Sequence, residues 1–159
     1  MANKLAGTLL RFSPIILITI ILPAHYMLRA PISLAAFILF LITLTLGTIL
    51  TIGVAMLIYV IMFYTTSSKG LFNVYSVIAE FFAGSVVPIP FMPEWLQKIC
   101  YILPFRLSID LPFRIYTGNI SINDGIISMI VQIVWLTIIV LAGNFLINNA
   151  AKKLVIQGG

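Results

Sequence analysis

Charged residues are scarce in this 159-residue chain: Asp, Glu, Lys and Arg together make up 8% of it, and 62% of its residues are hydrophobic. A soluble domain usually carries about 25% charged residues. The mean hydropathy is correspondingly high, at +1.18. No water-soluble fold of this length hides so much apolar surface, so the scarcity of charge predicts a protein that folds in lipid.

Residues that carry out chemistry are equally scarce. The chain has one cysteine, Cys100, and one histidine, His25, far apart in the sequence, which excludes an intrachain disulfide and argues against a metal cluster or a catalytic pair. The sequence contains no phosphate-binding loop of the form G-x-x-x-x-G-K-[ST] and no carboxylate pair with acid–base spacing. We therefore predict no enzymatic activity and no catalytic site, metal site or cofactor in this chain.

The net charge of +5 does not predict a nucleic-acid partner. The nine Lys and Arg residues are scattered and stand at the ends of apolar runs. This distribution is typical of membrane-topology signals and not of a phosphate-binding surface. The partner it indicates is membrane lipid.

Four long apolar runs predict the fold class: an all-α, polytopic membrane helix bundle forming a single transmembrane domain over residues 1–159. The predicted spans are about 12–28, 31–64, 71–87 and 120–147. These runs do not alternate apolar and polar residues as the strands of an outer-membrane barrel do. The second run would be about 50 Å long as a straight helix, against a hydrocarbon core of about 30 Å, so it must tilt, protrude, or break near Gly47 or Gly53.

The cations also predict an orientation. With four crossings, five of them fall on one side and four on the other, and the side with more is expected to be the cytoplasm. The first group is Lys4, Arg11, Lys69, Lys152 and Lys153, and the second is Arg29, Lys98, Arg106 and Arg114. Both termini are therefore predicted to be cytoplasmic.

Two features of the spans are candidate sites. Thr43, Gly47, Thr51 and Ala55 recur every four residues on the second span, which predicts a helix-packing stripe, either within the chain or facing another subunit or a substrate path. Glu80 is predicted near the middle of the third span, where an ionised side chain costs about 2.5–3.5 kcal/mol. It is expected to be a buried polar group, bonded to a hydroxyl such as Tyr75 or Ser76, or to line a transport path.

Prolines and charges concentrate in one stretch, residues 88–118, between the third and fourth spans. Pro88, Pro90 and Pro93 are expected to end the third helix, and "PEWLQKICYIL" to start a new one with Pro93 in its first turn. Pro104 is expected to end that helix and Pro112 to break the next. Each piece is too short to cross a membrane, which predicts either re-entrant helices on the outer side or a surface hairpin.

The order of these elements resembles the C-terminal part of type-2 ABC exporter permeases, the membrane subunits of bacterial ABC transporters. The resemblance lies mainly in residues 64–159, and it places short re-entrant helices before the last span. The matching positions are Gly84, Pro88, Pro93, Trp95, Pro104, Phe105, Pro112, Gly118, Gly158 and Gly159.

The resemblance implies a permease subunit in the cytoplasmic membrane that forms part of a substrate path. It also implies two partners, an ABC ATPase subunit and another permease chain in a homo- or heterodimer. Such permeases usually have six spans, whereas four are predicted here, so the expectation is a truncated frame, a fragment or a split subunit. Only Met1–Arg11 would then remain of the family's coupling helix. The alternative is a small non-transport membrane protein, such as an immunity or assembly factor.

Overall fold

The computed structural model describes residues 30–62 and 68–157, together with residue 14, and gives the side chains of 30–62 and 70–148. The chain divides into two units, residues 1–30 and 31–159, and the fold below is that of the second. The predicted span at 12–28, His25, and the glycines at 158 and 159 lie outside the described residues. Every regular element among the described residues is helical, which confirms the all-α prediction.

The first helix, α1, runs from Leu34 to Met62 without the break that the sequence allowed for at Gly47 or Gly53. Ser33 begins it, because its Oγ accepts the amide of Ala36 at 3.1 Å and satisfies one of the free donors of the first turn. The hydroxyls of Thr45 and Thr48 each donate to the carbonyl four residues earlier, at 2.8 Å. The helix therefore presents little unsatisfied polarity to lipid despite its threonines.

The second helix, α2, spans Ser68–Phe82, so it ends five residues before the end predicted for the third span, residue 87. It ends at a glycine and not at the prolines: Gly84 takes φ 80°, and the amides of Gly84 and Ser85 donate to the carbonyls of Phe81 and Glu80. This is the Schellman arrangement, which a residue without a side chain adopts at no steric cost. At 15 residues α2 is about 22 Å long, shorter than a hydrocarbon core.

The outer segment, defined here as residues 83–121, is built from short pieces. A 3₁₀ turn at Ile89–Phe91 is followed by α3, Glu94–Ile102. This helix ends before Pro104, as the sequence predicts, and Pro93 is its N-cap and not a residue of its first turn. A second 3₁₀ turn, Phe105–Leu107, leads into α4, Asp110–Thr117. Pro112 lies inside α4 and does not break it, because it occupies the first turn, where amides have no partner within the helix.

The last helix, α5, extends from Ile122 to Gln157 and runs parallel to α1. Ser121 caps it by accepting the amide of Asp124 at 3.1 Å. The direction follows from successive close approaches, since Gly125 faces Leu39, Gly53 faces Ile139 and Gly143 faces Leu57. Because α1 and α5 are parallel, both helices start on the same side of the bundle. The chain between them must therefore return from the end of α1 to that side.

Among the described residues, two helices are long and apolar enough to cross a membrane, Leu34–Met62 and Ile122–Asn148. Most of their large apolar side chains are exposed, and the buried core they share is small. That is the distribution expected when lipid surrounds the helices. The structure is therefore that of a membrane helix bundle.

The outer segment descends beside α1 and does not lie across its end. Gly118 approaches Ile32 before α1 begins, and the ring of Tyr116 packs edge-on against Phe40, with centroids 5.2 Å apart. Leu107 and Ser108 reach Gly47. From residue 32 to residue 47 is about 22 Å along the helix axis, so the segment enters to about half the bundle's depth. This packing along α1 favours the re-entrant alternative over a surface hairpin, and the position of the segment in a membrane stays a prediction.

Gly47 is the position where α1 and the outer segment come closest. A Cβ there would lie 2.7 Å from the Cα of Ser108 and 2.9 Å from the carbonyl oxygen of Leu107, both backbone atoms. At Gly143 on α5 an added Cβ would lie 3.5 Å from Leu57, an ordinary contact. The same substitution is therefore expected to have opposite effects at the two sites.

We predict that Gly47→Ala lowers the thermal midpoint of the protein in detergent, because overpacking of about 1–3 kcal/mol exceeds the helix-propensity gain of about 1 kcal/mol. Gly143→Ala, the matched control, should leave the midpoint unchanged or raise it. Equal midpoints for the two variants would contradict the close contact at Gly47.

Candidate functional site

A buried glutamine joins three elements at the middle of the bundle. Gln132 of α5 is 0% exposed, and its Nε2 donates to the carbonyl oxygens of Thr43 on α1, at 2.9 Å, and of Leu107 in the outer segment, at 2.7 Å. Both partners are acceptors, so the amide nitrogen must be the atom that faces them. We call Gln132, Thr43, Gly47 and Leu107 the central polar node.

Two further features of α1 belong to the node: Gly47 has no side chain to block the approach of Leu107, and the Thr43 hydroxyl is satisfied within the helix. The Thr43 hydroxyl, also fully buried, donates back to the carbonyls of Leu39 and Phe40 at 2.8 and 3.1 Å. The Oε1 of Gln132 is buried and has no hydrogen-bond partner. A buried acceptor without a donor costs free energy. The carboxamide of Gln132 therefore stabilises the node through its Nε2 alone, while its Oε1 stays unsatisfied.

The predicted packing stripe only partly coincides with this node. Thr43 and Gly47 lie on the buried face of α1, but Thr51 is exposed and Ala55 is half-buried. The buried residues of α1 are Ala36, Leu39, Thr43, Gly47 and Leu50. A repeat of four residues rotates by about 40° at each step on a helix of 3.6 residues per turn, so the stripe turns away from the contact below Gly47.

A charged cluster lies in the outer segment close to the node. The Arg106 guanidinium stacks over the ring of Tyr101 with its Cζ 4.4 Å from the centroid, and Arg114 Nη1 donates to the Tyr101 hydroxyl at 3.0 Å. The same nitrogen lies 3.8 Å from Asp110 Oδ2. Two cations thus contact one phenol, and one anion lies beside the second cation.

Burial changes the electrostatics of this cluster. Asp110 and Arg106 are each partly removed from water, which disfavours their charged forms. Asp110 Oδ2 and Arg106 Nε are buried and make no hydrogen bond. The cluster therefore holds charge that its own side chains neutralise incompletely.

A surface cavity of about 280 Å³ opens beside the cluster. One wall is the polar face of α4, with Asp110, Phe113, Arg114 and Thr117, and the facing wall includes Gly84 and Pro88. The opposite face of α4, with Leu111 and Ile115, packs in the core. α4 is thus amphipathic, and its charged side chains line the cavity while its apolar side chains pack in the core.

The remaining positions of the family resemblance do not form one site. Gly84 and Gly118 both take positive φ and end helices, and Pro93 precedes the first residue of α3. Trp95 is 64% exposed, whereas Pro104 and Pro112 are buried. The ring of Phe105 contacts those of Tyr75 and Phe82, with both centroid distances 6.4 Å. Most of these residues shape the outer segment, and Gly84 and Pro88 also line the cavity.

Glu80 is not at the middle of a span. It lies in the last turn of α2, and its side chain is exposed. The hydroxyls suggested as its partners do not bond to it, since Ser76 donates to the carbonyl of Asn73 and the Tyr75 hydroxyl has no hydrogen bond. The buried alternative is therefore wrong, because α2 ends at Phe82, several residues before the prolines that were expected to end it, and the path-lining alternative stays a prediction.

Cys100 is buried and contacts another sulfur. It is 0% exposed, and its Sγ lies 3.6 Å from Sδ of Met92. No group of three or more His, Cys, Asp or Glu residues able to hold a metal ion occurs in the described part of the chain. Cys100 therefore belongs to the small apolar cluster of Ile89, Met92 and Cys100 within the outer segment.

The sequence carried signals for both the node and the cluster. Gln132 is the one amide in an otherwise apolar stretch of the last span, and such a residue in a membrane helix usually finds a partner. Arg106, Asp110 and Arg114 follow each other at intervals of four, the spacing that brings side chains onto one helix face. From the sequence, these three residues were predicted only to be charges on the outer side of the membrane.

We predict that Gln132→Leu lowers the free energy of unfolding by about 1–2 kcal/mol, because the carbonyl of Leu107 loses its donor at membrane depth. The control is Asn144→Leu, the same loss of an amide at an exposed position of α5. Thermal or denaturant unfolding in one detergent compares them. A node without structural importance would give the two variants equal stability.

The comparisons with known proteins agree with this architecture. The model of one family, described as ABC-2 type transporter, matches residues 4–117. The match covers the outer segment almost to its end, and it extends further toward the N-terminus than the resemblance seen in the sequence. Neither a curated protein nor a solved structure matches the chain. Since the family model covers well over half of it, the chain belongs to the ABC-2 type transporter family of ABC transporter membrane permeases.

Proposed function

We propose that the chain is a permease subunit of an ABC-type exporter in the cytoplasmic membrane, with both termini in the cytoplasm. The observation that carries the proposal is the family match over residues 4–117, in a chain whose described part is a membrane helix bundle. Since the sequence has no phosphate-binding loop, a separate ABC ATPase supplies the energy. A second permease chain, identical or related, completes the substrate path.

In this proposal the chain contributes coupling and not chemistry. ATP binding to the partner favours one arrangement of the membrane helices, and hydrolysis favours another. The central polar node makes α1, α5 and the turn at Phe105–Leu107 a single packed body, because one side chain bonds to two of these elements. Movement delivered to the cytoplasmic end of either long helix is thereby passed to the outer segment.

The proposed orientation predicts a labelling pattern in intact cells. A cysteine introduced as Asn123→Cys, at the outer start of α5, should react with an impermeant maleimide, whereas Ser68→Cys should react only after the membrane is opened. The native Cys100 is buried and should stay unlabelled, so no cysteine-free background is needed. The opposite pattern, with Ser68→Cys labelled in intact cells, would reverse the orientation.

The proposed energy source predicts a division of activity. The purified chain in lipid nanodiscs should hydrolyse no ATP, and it should co-purify with the ABC ATPase encoded beside it in the genome. The complex should hydrolyse ATP, and replacing the phosphate-loop lysine of the ATPase by alanine should abolish hydrolysis without abolishing assembly. An absence of any ATPase in the complex would favour a non-transport role for this family member.

A further inference from the structure

A row of polar side chains follows one face of α2. Asn73, Ser76 and Glu80 are separated by three and four residues, so they share one face of a helix with 3.6 residues per turn. The side chains of Asn73 and Glu80 are exposed, and that of Ser76 is half-buried. We call these three residues the α2 polar stripe. It extends for about 10 Å along the helix and ends with a carboxylate.

The α2 polar stripe belongs to neither of the other two faces of the helix. One of these faces packs on the bundle through the rings of Phe72, Tyr75 and Phe82. Another carries large apolar side chains that are exposed, Val74 at 58% and Ile78 at 44%. In a membrane protein such a face contacts acyl chains. α2 therefore has one face for the bundle and one for lipid, and the polar face needs a third kind of neighbour.

The deep end of the stripe lies close to the middle level of α1. Phe82, two residues after Glu80, stacks on Phe105 with the ring centroids 6.4 Å apart. Phe105 begins the turn that ends at Leu107, beside Gly47, and Gly47 is next to the middle of α1. An ionised side chain at this level is unfavourable in lipid, and such residues face a bundle interior or a water-filled cavity.

The groups of the stripe are left without protein partners. Ser76 donates to the carbonyl of Asn73 in its own helix, at 2.9 Å, and within the described residues neither the Asn73 amide nor the Glu80 carboxylate bonds to another side chain. An amide, a hydroxyl and a carboxylate in one row share no single ligand chemistry, whereas water can bond to all three. Acyl chains offer them no partner, and a protein surface would have to bring a donor to Glu80 at membrane depth.

We propose that the α2 polar stripe lines a water-filled cleft that opens at the Ser68 end of α2 and reaches the level of Glu80. The proposed permease function, on which this inference rests, puts that end of α2 in the cytoplasm and supplies the second permease chain as the facing wall. The cleft is then the cytoplasmic half of the substrate path. The stripe predicted on α1 does not line it, because Thr43 and Gly47 are covered by Gln132 and the outer segment.

The test is cysteine accessibility in inside-out membrane vesicles from cells that make the chain together with its ABC ATPase. Methanethiosulfonate reagents modify the thiolate, which forms in water and is disfavoured in apolar surroundings. We expect Asn73→Cys, Ser76→Cys and Glu80→Cys to react with a trimethylammonium reagent about tenfold faster than Val74→Cys and Ile78→Cys, which face lipid.

The charge of Glu80 supplies a second measurement. Residues 76 and 80 are neighbours on the helix surface, about 6 Å apart, so the carboxylate attracts a cationic reagent to a thiol at position 76 and repels an anionic one. In Ser76→Cys the rate ratio of the trimethylammonium reagent to a sulfonate reagent should fall about tenfold when Glu80→Gln is added. Glu94→Gln, which removes an exposed carboxylate of α3, is the matched control and should leave the ratio unchanged.

The unaltered chain gives the background rate, because Cys100 is buried. Each variant is also checked for folding by size-exclusion elution with the ATPase. All five substituted positions of α2 lie outside its packed aromatic face, so elution should not change.

Three results would overturn the cleft. Equal rates for all five variants would show that α2 has no lipid-facing side, and slow reaction of all three stripe variants would show that protein covers the stripe. Reaction of Asn73→Cys alone would limit water to the cytoplasmic end of α2. A bound ATPase without the expected pattern contradicts the cleft and leaves the permease proposal intact, whereas failure to bind the ATPase contradicts the permease proposal whatever the pattern.

Discussion

The structure depends on the carboxamide of Gln132, which provides a donor where the membrane provides none. The re-entrant turn at Phe105–Leu107 brings a carbonyl oxygen to half the depth of the bundle, and in lipid such an acceptor must be satisfied by protein. Gln132 satisfies it from α5 and at the same time bonds the carbonyl of Thr43 on α1. Gly47 makes the approach possible, since any side chain there would meet the backbone of Leu107 and Ser108. One amide and one missing Cβ together allow irregular backbone inside the bundle.

The short α2 explains why the outer segment must enter the bundle. Phe72 stacks on Tyr59 near the far end of α1, with centroids 5.1 Å apart, and Phe82 stacks on Phe105 beside the node. α2 therefore contacts the half of α1 beyond Gly47, whereas the half nearer Leu34 packs against α5 at Gly125 and against the outer segment. Residues 83–121 place Leu107, Leu111 and Ile115 in the core. The charged side chains of this segment remain together, with Arg106 and Arg114 on Tyr101 and Asp110 beside Arg114.

Composition predicted the lipid environment, and the long apolar runs without alternation predicted the all-α class, because unsatisfied backbone is costly in a membrane. The bounds of α3 followed from Pro93 and Pro104. The mid-span, buried placement of Glu80 and the helix break at Pro112 were wrong, because a helix end depends on which of several competing signals is used. Gly84 ended α2 before the prolines, and Pro112 fell in a first turn. Gln132 and its partner Leu107 are separated by 25 residues, and no local pattern specifies such a pair.

The node and the charged cluster are adjacent along the chain, which gives them a common mechanical basis. Leu107 accepts a hydrogen bond from Gln132, and its neighbour Arg106 stacks on Tyr101. α4 begins with Asp110, three residues after Leu107. A shift of α5 against α1 by one helical turn, about 5.4 Å, would separate Gln132 from one of its two carbonyls. The freed carbonyl would be left without a donor, so the two bonds of Gln132 oppose sliding of α5 against α1. Because Arg106 and Asp110 lie within three residues of Leu107, the same bonds also fix the point from which the charged cluster extends.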